Sequence, residues 1–143
     1  MATRTSITNG SWSATGTWGA AAPADGDSVV IATGTTVTFD ADQTAFLTGV
    51  GLTVNAGGVL TASTASGSYC LRIGVANPTI NGTLTIGTSA TPYPFDCKFT
   101  IRMTGGGSNT RYFTGAGYKY FCGTEPTTLL VKLKETATIG ATA

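Results

Sequence analysis

The chain has no histidine, and only 10% of its 143 residues are charged. Without an imidazole, Ser-His-Asp and Cys-His nucleophile systems and most catalytic zinc sites are excluded. No apolar run reaches the 18 residues or so that a membrane-spanning helix needs. The amino terminus, MATRTSITNGSWSATG, lacks the apolar core of a secretory signal, so either a signal has been removed or the protein is assembled in the cytoplasm, the reading that Met1 favours. Cysteine is scarce too: Cys70, Cys97 and Cys122 cannot all pair within one chain, and their spacing fits no metal motif. Buried small hydrophobes is the first reading of them, with one intrachain disulfide or an interchain bond as alternatives.

Apolar residues make up 41% of the chain and its mean hydropathy is +0.18, which excludes the composition of a disordered protein. The length suits one domain burying about two thirds of its unfolded surface. Threonine is the commonest residue. Short runs of Val, Ile, Thr, Phe and Tyr alternate with Gly, Asn, Pro and Ser, the signal for many short strands. These strands fall at 28–32, 35–40, 51–55, 58–63, 69–74, 78–82, 83–87, 97–103, 111–115, 117–122 and 127–134. The segment 40–49 is the only place where a helical turn is expected.

The strands recur at a nearly fixed interval. VVI at 29–31 returns as LTV at 52–54 and PTI at 78–80, after 23 and then 26 residues. TVTF at 36–39 returns as VLTA at 59–62 and TLTI at 83–86, after 23 and then 24. Paired short strands with a period in the twenties are the signature of a β-solenoid rung, which hides its apolar side only by stacking. Alternation sends Val29, Ile31, Val37, Phe39, Leu52, Val54, Leu60, Leu84 and Ile86 into one core. Thr36, Thr38, Thr83 and Thr85 then form an outer surface. The repeat weakens after residue 87. The fold expected is therefore all-β: a short β-solenoid, or β-helix, with a less regular β region at its C-terminal end. A β-sandwich or jelly roll is the alternative. Residues 1–143 form a single domain, with an N-terminal cap at 1–27, rungs at 28–90 and an irregular β region at 91–143.

Charge is distributed unevenly. Residues 1–70 carry Arg4 against Asp25, Asp27, Asp40 and Asp42, whereas most bases lie beyond residue 70. Of these, Arg102, Arg111, Lys119, Lys132 and Lys134 mark a candidate interface for an acidic partner or for head-to-tail association. The bases are scattered and no recognition helix surrounds them, so no nucleic-acid partner is expected. Asp40 and Asp42 are the one carboxylate pair that could serve a glycosidase, but the chain is too short to build a long substrate groove. In ADGDS, Gly26 supplies a turn and Asp25 or Asp27 accepts backbone N–H groups. A calcium site shared with Asp40 and Asp42 is the weaker reading. GAGYKYFCG lacks the lysine and hydroxyl residue of a phosphate loop. No enzyme activity, metal or cofactor is expected.

The stretch GSWSATGTWGAAAPADGDSVVIATGTTVTFDAD resembles the N-terminal rung region of bacterial and bacteriophage right-handed β-helix surface proteins. The elements are Trp12 and Trp18, Pro23, Gly26 with Asp27, Val29 to Ile31, Gly34, and Val37 to Asp40. A related pattern opens the extracellular eight-glycine domain of hyaluronan-associated proteins. The resemblance implies a fold and no activity. With it, Trp12, Trp18, Pro23, Gly26 and Asp27 are read as the cap that closes the first rung. The expected function is a non-enzymatic virion structural protein: a bacteriophage capsid decoration (cement) protein or small tail appendage component. It would self-associate, as a homotrimer, and bind a larger shell such as a major capsid protein. The alternative is a secreted carbohydrate-binding or adhesin β-helix module with Tyr112, Tyr118 and Tyr120 as an exposed row. The favoured place for those tyrosines is the distal core.

Overall fold

The computed structural model describes residues 1–104 and 112–122 in full and 131–134 as backbone. The chain runs through β1 (Thr3–Thr5), β2 (Gly10–Ser11), a one-turn helix α1 (Thr15–Trp18), β3 (Ser28–Ile31), β4 (Thr36–Phe39), β5 (Gly51–Val54) and β6 (Val59–Ala62). It continues through β7 (Gly67–Ile73), β8 (Thr79–Ile80), β9 (Thr83–Ile86), β10 (Cys97–Thr104), β11 (Tyr118–Phe121) and β12 (Val131–Lys134). Three sheets result, ordered β1-β3-β5-β8, β2-β4-β6-β9-β11 and β7-β10-β12. All the ladders between these strands are parallel. That arrangement is a β-solenoid, and it excludes the sandwich and jelly roll, whose sheets are antiparallel.

Register reproduces the sequence repeat. Val29 stands opposite Leu52, Val54 opposite Ile80, Val37 opposite Leu60, and Leu60 opposite Leu84. Identical faces therefore stack, and the nine residues assigned to the core are all buried. Thr36 is exposed, while Thr38, Thr83 and Thr85 are half-buried on the opposite side of their strands. Leu71, Ile73, Ile101 and Met103 complete the core from the third sheet. Beyond residue 87 the same stack continues through longer corners, with Gly67 paired to Cys97 and Thr83 to Tyr118.

At the corner between the first two sheets, coils nest on glycine. A Cβ on Gly82 would overlap the carbonyl oxygens of Gly58 and Asn55. The Gly58 carbonyl is engaged there, accepting from the Thr83 N–H at 2.9 Å. Only a residue without a side chain permits this approach.

Two local expectations are corrected. The segment 40–49 forms no helix and holds a single hydrogen-bonded turn, in which the Phe46 N–H donates to the Gln43 carbonyl at 3.1 Å. Asp42 accepts the Thr44 N–H, and Gln43 N and Val50 N donate to the carbonyls of Cys70 and Arg72. The segment thus runs along the edge of the third sheet through bridges Asp42↔Cys70 and Val50↔Ile73. The helical turn lies instead at α1, ended by Gly19 in the left-handed conformation (φ 71°). The strand read at 111–115 contributes an isolated bridge, Thr79↔Thr114, and its residue 111 lies outside the described residues.

Candidate functional site

Two tryptophans are buried against each other in the amino-terminal part of the stack. The helical turn α1 follows β2 and sets Trp18, at its end, against Trp12. Their ring centroids are 5.3 Å apart, edge to face, and the Trp18 indole N–H donates to the Trp12 carbonyl at 2.8 Å. Trp12 in turn meets Phe39 at 4.9 Å, and Phe39 meets Phe99 at 5.5 Å. An aromatic spine therefore runs from this end into the stack. Pro23 is buried as well.

Gly26 adopts φ +83°, as its turn requires, and Asp27 is buried. The Asp27 carboxylate accepts the Ala2 N–H at 2.7 Å, the Ala24 N–H at 3.1 Å and the Arg4 Nε–H at 3.3 Å. Burial pushes its pKa up, but these donors and the Arg4 charge outweigh it and hold the group below its ordinary value. Asp25 is committed as well, accepting from the N–H groups of Leu47, Thr48 and Gly49. Desolvation raises its pKa, while these three bonds and Arg72 bring it below the usual carboxylate value. From the next coil, Arg72 donates to the carbonyls of Phe46 and Leu47. One loop is thereby held between an acid on its N–H side and a base on its C=O side.

The carboxylate pair considered for hydrolysis is used in structure. Asp40 accepts from Ser13 N at 2.9 Å and Ser13 Oγ at 2.7 Å, and Asp42 caps its own turn. Among the described residues no group of three or more His, Cys, Asp or Glu side chains could hold a metal. The three cysteines are free, with Cys70 and Cys97 buried. Burial, reinforced by Asp42 and Asp96 respectively, pushes both thiols up and away from thiolate chemistry.

The surface is more informative. Tyr112, Tyr118 and Tyr120 do not enter the distal core: they are 47%, 66% and 46% exposed. Tyr118 stands opposite Thr83 and Tyr120 opposite Thr85, so both extend the outward threonine columns, their rings stacked at 5.9 Å. The inward register positions fall to Lys119 and Phe121, opposite Leu84 and Ile86. Lys119 donates its ammonium to the carbonyls of Gly115 and Gly117. On the third sheet, Arg102 is half-buried on the outward face, and Lys132 and Lys134 belong to β12 at positions opposite Arg102 and Thr104. Arg111 lies outside the described residues. Arg72 and Lys98 share that outward face and were not among the candidate interface residues. The strict alternation of CKFTIRM was the signal that could have found Lys98.

A model of the G8 domain, the eight-glycine domain, matches residues 17–131. No curated protein and no solved structure matches the chain. The match runs from Thr17 in α1 through strands of all three sheets to the first residue of β12, and on that extent the chain belongs to the G8 domain family.

Proposed function

We propose that the chain is a non-enzymatic structural protein of a virion, a bacteriophage capsid decoration (cement) protein or small tail appendage component, assembled in the host cytoplasm. The observation that carries this reading is the aromatic strip on β11, the last strand of its sheet among the described residues. Tyr118, Tyr120 and Phe121 are exposed there beside uncharged threonine columns. Aromatic side chains bury about 150–250 Å² each when covered, and an apolar strip on a sheet edge is a contact surface waiting for a neighbour. Modest contacts repeated by the symmetry of a trimer and a shell add up through avidity. The test is co-sedimentation with particles from the source, comparing the wild type with Tyr118→Ser/Tyr120→Ser. The wild type pellets with particles, and the double variant, equally folded, stays in the supernatant. A wild type that remains monomeric at every concentration and never pellets overturns the proposal.

The same tyrosines favour a second reading, a secreted carbohydrate-binding or adhesin module, and G8 domains occur in extracellular proteins. Stacked rings beside threonine hydroxyls suit the apolar faces and hydroxyl groups of a sugar chain. Retardation by a soluble glycan in affinity electrophoresis, lost in the double variant, supports this reading over the first.

A further inference from the structure

We infer that the outer edge of β11 is an interface for the same edge of a second copy, held shut by the inward cation of Lys119. In the ladder with β9, the Tyr118 and Cys122 N–H groups donate to the carbonyls of Gly82 and Ile86, each at 2.9 Å. Alternate residues of a strand bond to opposite sides, so the backbone groups of Lys119 and Phe121 face away from β9. Among the described residues no hydrogen bond takes them. An unpaired row of this kind is a template for another strand. The column behind it is apolar: Leu60 and Leu84 are buried, whereas Phe121, opposite Ile86, is still 36% exposed. A further strand would complete that burial.

What opposes such pairing is Lys119. It holds the register position that leucine fills in β6 and β9, and its ammonium donates to the carbonyls of Gly115 and Gly117 at 3.3 and 3.2 Å. β11 carries no carboxylate, so a strand laid over this edge would strip water from the ammonium without supplying an anion. An inward charge is one of the ways a sheet edge is protected. At the other end β1 uses the same device: Arg4, opposite Val29, meets Asp27 at 3.3 Å. The remaining edges there are already spent. Ser11 faces away from β4, and its carbonyl accepts the Thr17 Oγ–H at 2.8 Å and the Ala14 N–H at 3.2 Å. The N–H groups of Leu47, Thr48 and Gly49 go to Asp25. The second sheet therefore offers no free edge at its β2 end for head-to-tail growth. The occupant that fits the β11 edge is its own copy about a two-fold axis, a contact that closes at two.

The test is sedimentation equilibrium of the full chain over a range of concentrations, with amide exchange at Phe121. Lys119→Leu continues the leucine column, so it doubles the wild-type mass, stops there, and gains protection at the Phe121 amide. Lys119→Met, which drops the charge and keeps a long unbranched stem, doubles the mass as well and carries the test if the leucine variant does not fold. Lys119→Arg keeps the wild-type mass. Lys119→Leu/Phe121→Pro returns to the wild-type mass, because proline removes a donor on the outer edge and leaves the ladder to β9 intact. Folded, uncharged variants that stay at the wild-type mass overturn the inference, as does a wild type whose Phe121 amide is already protected. Doubling that survives Phe121→Pro, or growth past doubling into filaments, overturns it too. The outward tyrosines are untouched in every variant, so co-sedimentation with particles decides the virion reading separately.

Discussion

Replacing Trp18 with alanine removes the closure of the stack at its amino-terminal end. The side chain is 5% exposed, covers Trp12, and supplies the hydrogen bond to the Trp12 carbonyl. Truncating a buried tryptophan costs about 3–5 kcal/mol through lost burial and the cavity left behind. The Trp12 carbonyl, left without its donor, adds about 1 kcal/mol unless water reaches it. Set against a total stability of about 5–15 kcal/mol, this is a large fraction. In a domain of this size each kcal/mol moves the melting temperature by about 3 °C, so Trp18→Ala should melt roughly 9–18 °C below wild type. Scanning calorimetry checks it, with Tyr118→Ala as the contrast. Tyr118 is 66% exposed, and its loss should change stability by no more than about 0.5 kcal/mol. If Trp18→Ala melted within about 3 °C of wild type, burial of the tryptophan pair would not be what closes the stack.

Two further outcomes follow from the corner and the carboxylates. Gly82→Ala should lower the urea midpoint and strip amide-exchange protection from Thr83 and its neighbours, because the new methyl group meets the Gly58 and Asn55 carbonyls. The folded-state pKa of Asp27 lies below the ordinary aspartate value, so the stability it contributes is present above that ordinary value and is lost as pH falls through the lower folded one. Urea midpoints should therefore drop for wild type between neutral pH and about pH 3. Asp27→Asn, weaker at neutral pH, should show a smaller drop.

Much of the architecture was legible because a solenoid writes its register into its spacing. The 23-residue step from Val37 to Leu60 in the sequence is the same step that places them opposite each other in the second sheet. Alternation in TVTF and TLTI gave the core residues for the same reason. The third sheet was harder to see, since its first edge is the irregular segment 42–50, whose bridges depend on Cys70 and Ile73 far along the chain. The tyrosines were misplaced because aromatic residues on a strand read as core until register is known. Once Tyr118 is set opposite Thr83, parity alone turns it outward and leaves Lys119 on the inward register. The register of the third sheet was equally hidden: Arg72, Arg102 and Lys132 are spaced by 30 residues in the sequence, beyond the shorter period that flagged the rungs, and only parallel pairing sets these positions opposite one another.

The most direct measurement of the proposed role is cryo-electron microscopy of particles from the source, imaged before and after the protein is stripped and added back. The proposal predicts a small density, repeated by the symmetry of the shell or tail, that disappears on stripping and returns with wild type but not with Tyr118→Ser/Tyr120→Ser. Particles that look the same throughout, together with a protein that stays monomeric in solution, would contradict it.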